Sequence, residues 1–216
     1  INDEYRNRSI AELNKVIDLS RTMKKHFGLK NDIRIIVNMG GFSKNQFLDS
    51  NTKSTLYRRL EDSLDLIDTT GVQLLPQTMP PFPWHFGGQS FHNLFVLHEE
   101  IVNFCEKRNM TICLDVSHSK LACTYSNTSF YKFCEAVAPY TAHIHIADSK
   151  GNNEEGLQIN EGEIDFNFLS QTLNSLCPNA SFIPEVWQGH ENNGEGFWKA
   201  LNRLEDLLKS TDLLKG

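Results

Sequence analysis

Three successive strand-like runs in this chain each end with a side chain that can bind a metal. The runs are residues 112–118, 143–150 and 182–187. Asp115 with His118 ends the first, His145 lies in the second, and Glu185 lies in the third. Carboxylates and imidazoles are ligands of divalent cations, and the C-terminal strand ends of a parallel barrel meet at one mouth. The pattern therefore predicts a metal site at that mouth.

The alternation of side chains along a strand supports a shared site. Cys113 and Asp115 fall on one strand face, and His143 and His145 share a face of the next strand. Charged groups gathered inside a barrel are costly to desolvate unless they are paired or hold a metal. Each residue alone could be a hydrogen-bonded barrel residue or an exposed strand end. Their joint occurrence on three strands favours one polar pocket.

Alternating strand and helix patterns position these residues. Five strands are predicted at residues 33–37, 72–75, 111–116, 141–147 and 181–186, and six helices at about 9–23, 52–67, 90–106, 129–137, 166–176 and 196–208. Such alternation predicts an α/β fold of parallel strands with right-handed crossovers. Residues 38–41 lack the spacing of a dinucleotide-binding turn, so a barrel is favoured over an open nucleotide-binding sheet.

The chain is predicted to be one domain, residues 1–216, that forms an incomplete barrel. Five strands cannot close a barrel of eight, so about three strands are missing, on the N-terminal side. The first residue is not Met, which suggests a processed, truncated or excised piece. The open edge would leave backbone groups unpaired, which predicts self-association into a homo-oligomer.

Composition excludes several classes of function. The net charge of -6 gives no basic face for nucleic acid. The five cysteines are odd in number and show no paired metal-binding spacing, which is typical of a reducing cytosol. No apolar run approaches the roughly 20 residues that cross a bilayer, and no secretory leader is evident. A cytoplasmic protein that does not bind membranes is therefore predicted.

The order and spacing of these motifs resemble the xylose isomerase-like TIM barrels. That family includes sugar isomerases and epimerases, inosose dehydratases and zinc-dependent apurinic endonucleases. The resemblance runs from the strand ending at Asn38 to the last helix, and residues 183–192 are similar to a sugar isomerase-like domain found with sialic-acid-type sugar synthesis. It implies a TIM-type barrel and a small-molecule carbohydrate substrate.

The resemblance also implies a ligand set for one divalent metal ion, namely Mn, Mg, Zn or Co. Family members bind it with a Glu, an Asp, a His and a second Glu, and these positions fall on Gln77, Asp115, His145 and Glu185. Gln77 departs from the pattern because it can ligate through its carbonyl oxygen but brings no charge. One fewer anion weakens a divalent site.

Gln77 bears on mechanism as well. Isomerases and epimerases of the family use the two Glu positions as an acid/base pair, and an amide cannot accept a proton. With an amide at position 77, the resemblance implies one-base chemistry through Glu185, such as enolisation or dehydration. His118 lies where the family uses a histidine to contact substrate or metal, so it is a candidate catalytic residue or else a hydrogen-bonded turn residue. The alternative is a catalytically impaired carbohydrate-binding or accessory domain of a sugar-biosynthesis enzyme. Both hypotheses stay open at this point.

Four further residues are candidates for substrate binding: Asn38, Trp84, Lys150 and His190. Trp84 lies in an aromatic loop that can stack on a sugar face or pack against neighbouring loops. Lys150 can neutralise a phosphate or carboxylate, or be a solvated loop lysine. Asn38 and His190 can line the mouth or be exposed loop residues.

The endonuclease branch of the family is not favoured. Its additional zinc ligands would fall on Asn38, Glu154 and Gly156, of which two are not imidazoles and one is Glu in place of Asp. Abasic-site cleavage is therefore not expected. Two structural roles are also predicted: His143 as a buried, hydrogen-bonded histidine, and Asp165 as the N-cap of the helix that follows it.

Overall fold

The computed structural model describes residues 2–85 and 88–212, with the backbone alone at residues 84, 85, 88, 208 and 210–212. The helices of the described residues are α1 Asp3–His26, α2 Ser50–Leu64, α3 His98–Arg108, α4 Val116–Ser126, α5 Phe130–Val137, α6 Phe166–Leu176 and α7 Glu191–Asp212. The strands are β1 Ile33–Val37, β2 Phe42–Ser43, β3 Val72–Pro76, β4 Trp84–His85, β5 Gly88–Gln89, β6 Phe91–His92, β7 Ile112–Asp115, β8 Thr141–Ile146, β9 Asp148–Lys150, β10 Glu154–Leu157 and β11 Ser181–Pro184.

Five parallel strands follow one another in chain order and form the frame of the site. β1 pairs with β3, and β7, β8 and β11 pair as a second parallel group. A parallel bridge between Gln77 and Cys113 joins β3 to β7, so the order is β1, β3, β7, β8, β11. Within the described residues, β1 and β11 pair on one side only. The predicted incomplete barrel is confirmed, and its carboxyl strand ends lie along one rim.

The outer face of this sheet is covered by helices. The apolar side chains Ile112 and Leu114 of β7 are fully buried, and so are Phe104 of α3 and Phe133 of α5. Burying each such side chain stabilises the fold by roughly 1.5–3 kcal/mol. The same packing holds the strands rigidly, so the residues at their carboxyl ends are fixed relative to one another.

Helix α4 was not predicted, and its N-terminus changes the interpretation of the Asp-x-x-His motif. The predicted strand through Val116 was wrong at its end, because β7 stops at Asp115 and Val116 begins α4. The Asp115 carboxylate accepts a hydrogen bond from the backbone N–H of His118 and caps the helix. Val116 continues the apolar run, and the segment is rich in Ser and Thr, so the sequence pattern concealed the helix.

Other boundaries were also corrected. The helix predicted at residues 90–106 begins only at His98, because Phe91–His92 forms a short strand with β2. The first helix begins at Asp3 rather than at about residue 9, and Asn2 caps it. α6 has the predicted limits, and its N-cap Asp165 is confirmed. In the described residues no helix is both long and apolar enough to cross a membrane.

A hairpin, which was not predicted, follows β8. Strands β9 and β10 pair antiparallel, with Glu154 opposite Lys150 and Leu157 opposite Asp148. The Asp148 carboxylate fixes the start of the hairpin. It accepts hydrogen bonds from the backbone N–H groups of Ser149, Gly162 and Ile164. This hairpin lies beside the carboxyl end of β8.

Candidate metal centre

The ends of three adjacent strands bring Asp115, His145 and Glu185 together. Asp115 on β7 is the register partner of His145 on β8, and Glu185 follows the last residue of β11. One potential ligand atom from each residue lies within 4.8 Å of the others, and among the described residues no other group of three or more such residues does so. Asp115 and His145 are buried, whereas the Glu185 side chain is 54% exposed.

Gln77 joins the same cluster from the end of β3. Its Nε2 donates a hydrogen bond of 2.8 Å to Asp115 Oδ2 and lies 3.2 Å from His145 Nδ1. The four positions implied by the family resemblance thus converge in space. The oxygen and nitrogen of an amide are assigned from its hydrogen bonds. A half-turn of the Gln77 amide would present its carbonyl oxygen to the same point.

The two carboxylate oxygens of Asp115 have separate roles. Oδ1 accepts the His118 backbone N–H at 2.9 Å and caps α4, while Oδ2 faces Gln77 and the two histidines. Burial alone would raise the pKa of Asp115, but the charge of His118 and hydrogen bonds from His145 and His118 lower it. The helix N-terminus also favours a negative charge at this place. Asp115 is therefore a buried, ionised carboxylate.

His145 lies between the two carboxylates of the cluster. Its Nδ1 is 2.5 Å from Glu185 Oε2 and 3.8 Å from Asp115 Oδ2. Burial would lower the pKa of His145, but hydrogen bonds with Asp115, Cys113 and Glu185 outweigh burial and raise that pKa to about 12. The neighbouring carboxylates therefore favour the protonated form of the His145 ring.

The donor set fits a divalent cation. A site of two carboxylates, one imidazole and one amide suits Mg, Mn, Zn or Co, because it combines hard oxygen donors with a nitrogen ligand. In the metal-free protein, the protonated His145 ring offsets the charge of the neighbouring carboxylates. A metal ion would take the place of that proton. Asp115, His145 and Glu185 would hold the ion, with Gln77 as the neutral fourth residue.

His118 lies next to this cluster, with both ring nitrogens facing acceptors. Its Nδ1 is 3.0 Å from the carbonyl oxygen of Thr78 and 3.1 Å from Asp115 Oδ2, and its Nε2 is 3.4 Å from Glu155 Oε2. Burial would lower the pKa of His118, but the Asp115 charge and the Glu155 contact raise the pKa to about 9. The contacts thus favour the imidazolium form of His118, which lies beside the candidate metal ligands.

Glu155 is the site residue that sequence reasoning missed. The resemblance to the endonuclease branch pointed instead to its neighbour Glu154, as the position of a zinc ligand, but Glu154 is exposed. Two adjacent glutamates beside a glycine gave no indication of which one faces the site. The β9–β10 hairpin decides it, and the hairpin has no strong alternation in its sequence.

The four residues proposed for substrate binding occupy different places around the rim. Asn38 is exposed, and its Oδ1 accepts the backbone N–H of Gly40. Lys150 is exposed on β9, and His190 is exposed between β11 and α7. Trp84 lies in β4, but its side chain falls outside the described part of the chain. The described hydrogen bonds do not connect Asn38, Lys150 or His190 to Asp115, His145 or Glu185.

Comparisons with known proteins place this chain in a family. Residues 1–207 match the family described as a xylose isomerase-like TIM barrel. One curated relative, an uncharacterized protein of Methanocaldococcus jannaschii, is 26% identical over 149 residues, which are 68% of this chain and 53% of that protein. The chain thus spans about half the length of this curated relative.

Solved structures agree on the fold. A D-tagatose 3-epimerase-like protein matches with a TM-score of 0.74 and 19% identity, over 100% of this chain and 74% of that one. An L-ribulose 3-epimerase matches with a TM-score of 0.65 and 14% identity, over 97% and 71%. Endonuclease IV from Thermus thermophilus matches with a TM-score of 0.54 and 17% identity, over 82% and 62%. The fold alone therefore does not separate sugar chemistry from DNA repair.

Proposed function

The chain belongs to the xylose isomerase-like TIM barrel family, and from this premise we propose that it is a metal-dependent sugar isomerase- or epimerase-like enzyme. Its substrate is a small carbohydrate or sugar-acid precursor, and its cofactor is one divalent ion. The observation that carries the proposal is the convergence of Asp115, His145 and Glu185, whose ligand atoms lie within 4.8 Å of one another.

Each residue of the cluster has a role in the proposed reaction. A bound divalent ion would polarise a carbonyl or hydroxyl oxygen of the sugar. Asp115 and His145 are buried and fixed, which suits residues that orient rather than react. Glu185 is the most exposed of the three, and its carboxylate is the base that takes a proton from the carbon beside the carbonyl. The C–H electron pair then forms a carbon–carbon double bond, the π pair of the carbonyl moves onto its oxygen, and the product is an enediolate.

Gln77 limits this chemistry and supports the second candidate function. Because an amide accepts no proton, Glu185 is the base among the four clustered positions, and the usual pair of bases is incomplete. In the alternative, the chain is a carbohydrate-binding or accessory domain of a sugar-biosynthesis enzyme. The hydrogen bond from Gln77 to Asp115 favours this alternative, since it occupies an oxygen that a metal would need.

Proton exchange in deuterated water separates the two candidates. The wild-type protein and a Gln77→Glu variant would be incubated with Mn²⁺ and a panel of ketoses, and deuterium incorporation followed by NMR. Exchange in the wild type supports the enzyme, and its loss in Glu185→Gln assigns the base. Exchange only after Gln77→Glu would support the accessory domain.

A nuclease function is not part of the proposal. The chain carries a net charge of -6, and Asn38 and Gly156 stand where the endonuclease branch would need imidazoles. We expect no cleavage of a duplex with an abasic site in the presence of Zn²⁺. Cleavage that is lost in His145→Ala would overturn the carbohydrate proposal.

A further inference from the structure

His118 and Glu155 form an adjacent donor and acceptor at the rim of the proposed site. The distance of 3.4 Å from His118 Nε2 to Glu155 Oε2 exceeds the usual length of an N–H···O hydrogen bond. The Nδ1 side of the ring faces the Thr78 carbonyl oxygen and Asp115, which fixes the ring plane. The two side chains are 18% and 25% exposed, so both remain within reach of a ligand.

The backbone around Glu155 is held on two sides. The Gly156 N–H donates to Ser117 Oγ at 3.1 Å, and the Gly156 carbonyl oxygen accepts the Trp187 N–H at 2.7 Å. Gly156 has a φ of +70°, and a Cβ there would lie 3.3 Å from the Trp187 nitrogen. β10 is therefore fixed between the start of α4 and the segment after β11, and Glu155 is fixed with it.

This carboxylate differs from the buried one that maintains the fold of the same hairpin. Asp148 is fully buried and accepts three backbone N–H groups, so it has no accessible face for a ligand. Glu155 is partly exposed, and the partner found for it is the ring of His118. A residue that only maintained the fold would resemble Asp148.

A sugar hydroxyl matches this pair chemically. A hydroxyl group can accept a hydrogen bond from one group and donate one to another, whereas an ionised phosphate or carboxylate oxygen only accepts. We propose that Glu155 is a specificity-determining residue: His118 Nε2–H donates to one substrate hydroxyl, that hydroxyl donates to Glu155, and the Glu155 charge disfavours an anionic group at this position. The inference rests on the proposed function, and it selects an uncharged, unphosphorylated sugar as the substrate class.

The test compares exchange kinetics on unphosphorylated ketohexoses and ketopentoses with those on their 1-phosphates and terminal phosphates. Glu155→Ala should raise KM for the free sugars roughly 10- to 100-fold with little change in kcat, because a hydrogen bond to a charged group is lost from ground and transition states alike. Glu155→Gln keeps a hydrogen-bond acceptor, so KM for the free sugars should rise less than in Glu155→Ala. Because the negative charge is lost, the ratio of kcat/KM for free sugars to kcat/KM for sugar phosphates should fall. Glu154→Gln, on the exposed neighbour, is the matched control and should match the wild type.

The outcomes are distinct. Thermal unfolding of Glu155→Gln, which preserves side-chain size, shows whether the variants are folded. The inference is overturned if both Glu155 variants keep the wild-type KM and phosphate discrimination, or if the wild type prefers phosphorylated sugars. Absence of exchange by the wild type on every sugar would instead overturn the proposed function, and this inference with it.

Discussion

Two histidines on the same face of β8 have opposite electrostatic environments. His143 and His145 are separated by one residue, and their ring centroids are 5.3 Å apart. Burial, the charge of His145 and the charge of Arg34 lower the pKa of His143, and its Nδ1 lies 2.6 Å from Ser181 Oγ. His145, one layer closer to the carboxyl strand ends, faces carboxylates, and its pKa is raised.

Depth in the barrel, rather than residue type, thus separates a structural histidine from a candidate metal ligand. In the inner layer, farther from the carboxyl strand ends, His143 is paired with the neutral Ser181 hydroxyl. The prediction that His143 is a buried, hydrogen-bonded residue is confirmed. The outer layer surrounds His145 with groups that require a positive charge. Substitutions of His145 and His143 therefore form a matched pair, in which the His143 variant is the control for the metal site.

The largest effect is expected for metal affinity. His145→Ala should weaken Mn²⁺ or Zn²⁺ binding about 100-fold or more, since it removes a ligand from a set that already has one neutral member. His143→Ala removes an imidazole from the same strand face and should leave the affinity within about twofold. Isothermal titration calorimetry of both variants measures these affinities. Equal losses of metal affinity in the two variants would contradict the different roles of His143 and His145.

The second effect is on the pH dependence of metal binding. Since the pKa of His145 is raised to about 12, its ring is protonated near pH 7, and a bound metal must displace that proton. Apparent affinity should therefore rise with pH, by up to about tenfold per unit. Calorimetry in two buffers of different ionisation enthalpy should show about one proton released per ion. Identical heats in both buffers would contradict the assignment.

The third effect concerns stability in the presence of a chelator. The pKa of His118 is raised to about 9, so its ion pair stabilises the fold fully below the unfolded value near 6.5, and this contribution is lost as pH rises through 9. Its size is on the order of 3 kcal/mol, because the pKa rises from 6.5 to about 9. The pKa of His143 is lowered, so its contribution is present above pH 6.5 and lost as pH falls.

Urea unfolding between pH 5 and 10 measures these contributions. His118→Gln should flatten the alkaline side of the stability profile, and His143→Gln should flatten the acidic side. If both variants change the same side of the profile, the opposite charge states of His118 and His143 are refuted.

The smallest effect is expected at a cap that is remote from the site. Asp165 accepts the backbone N–H groups of Asn167 and Phe168 at the start of α6. Asp165→Ala should lower the free energy of unfolding by about 1 kcal/mol and leave metal affinity unchanged. A marked loss of metal binding would indicate that the site depends on helix packing far more than the contacts imply.

Much of this architecture can be predicted from the sequence because each barrel strand is a short run that contains apolar residues and lies between helical patterns. The order of the five strands and the convergence of Asp115, His145 and Glu185 both follow from that regularity. The start of α4 could not be predicted in the same way, because Val116 extends the apolar run and the helix signal lies in the cap of Asp115. Glu155 was not predictable, since its position depends on the tertiary contacts of Gly156.

The most direct measurement of the proposed metal site is anomalous diffraction from crystals grown with Mn²⁺. We expect one strong peak about 2.0–2.3 Å from a ligand atom of each of Asp115, His145 and Glu185. The Gln77 amide would be turned so that its carbonyl oxygen faces the ion. A peak elsewhere, or none between these three side chains at saturating Mn²⁺, would contradict the proposed site.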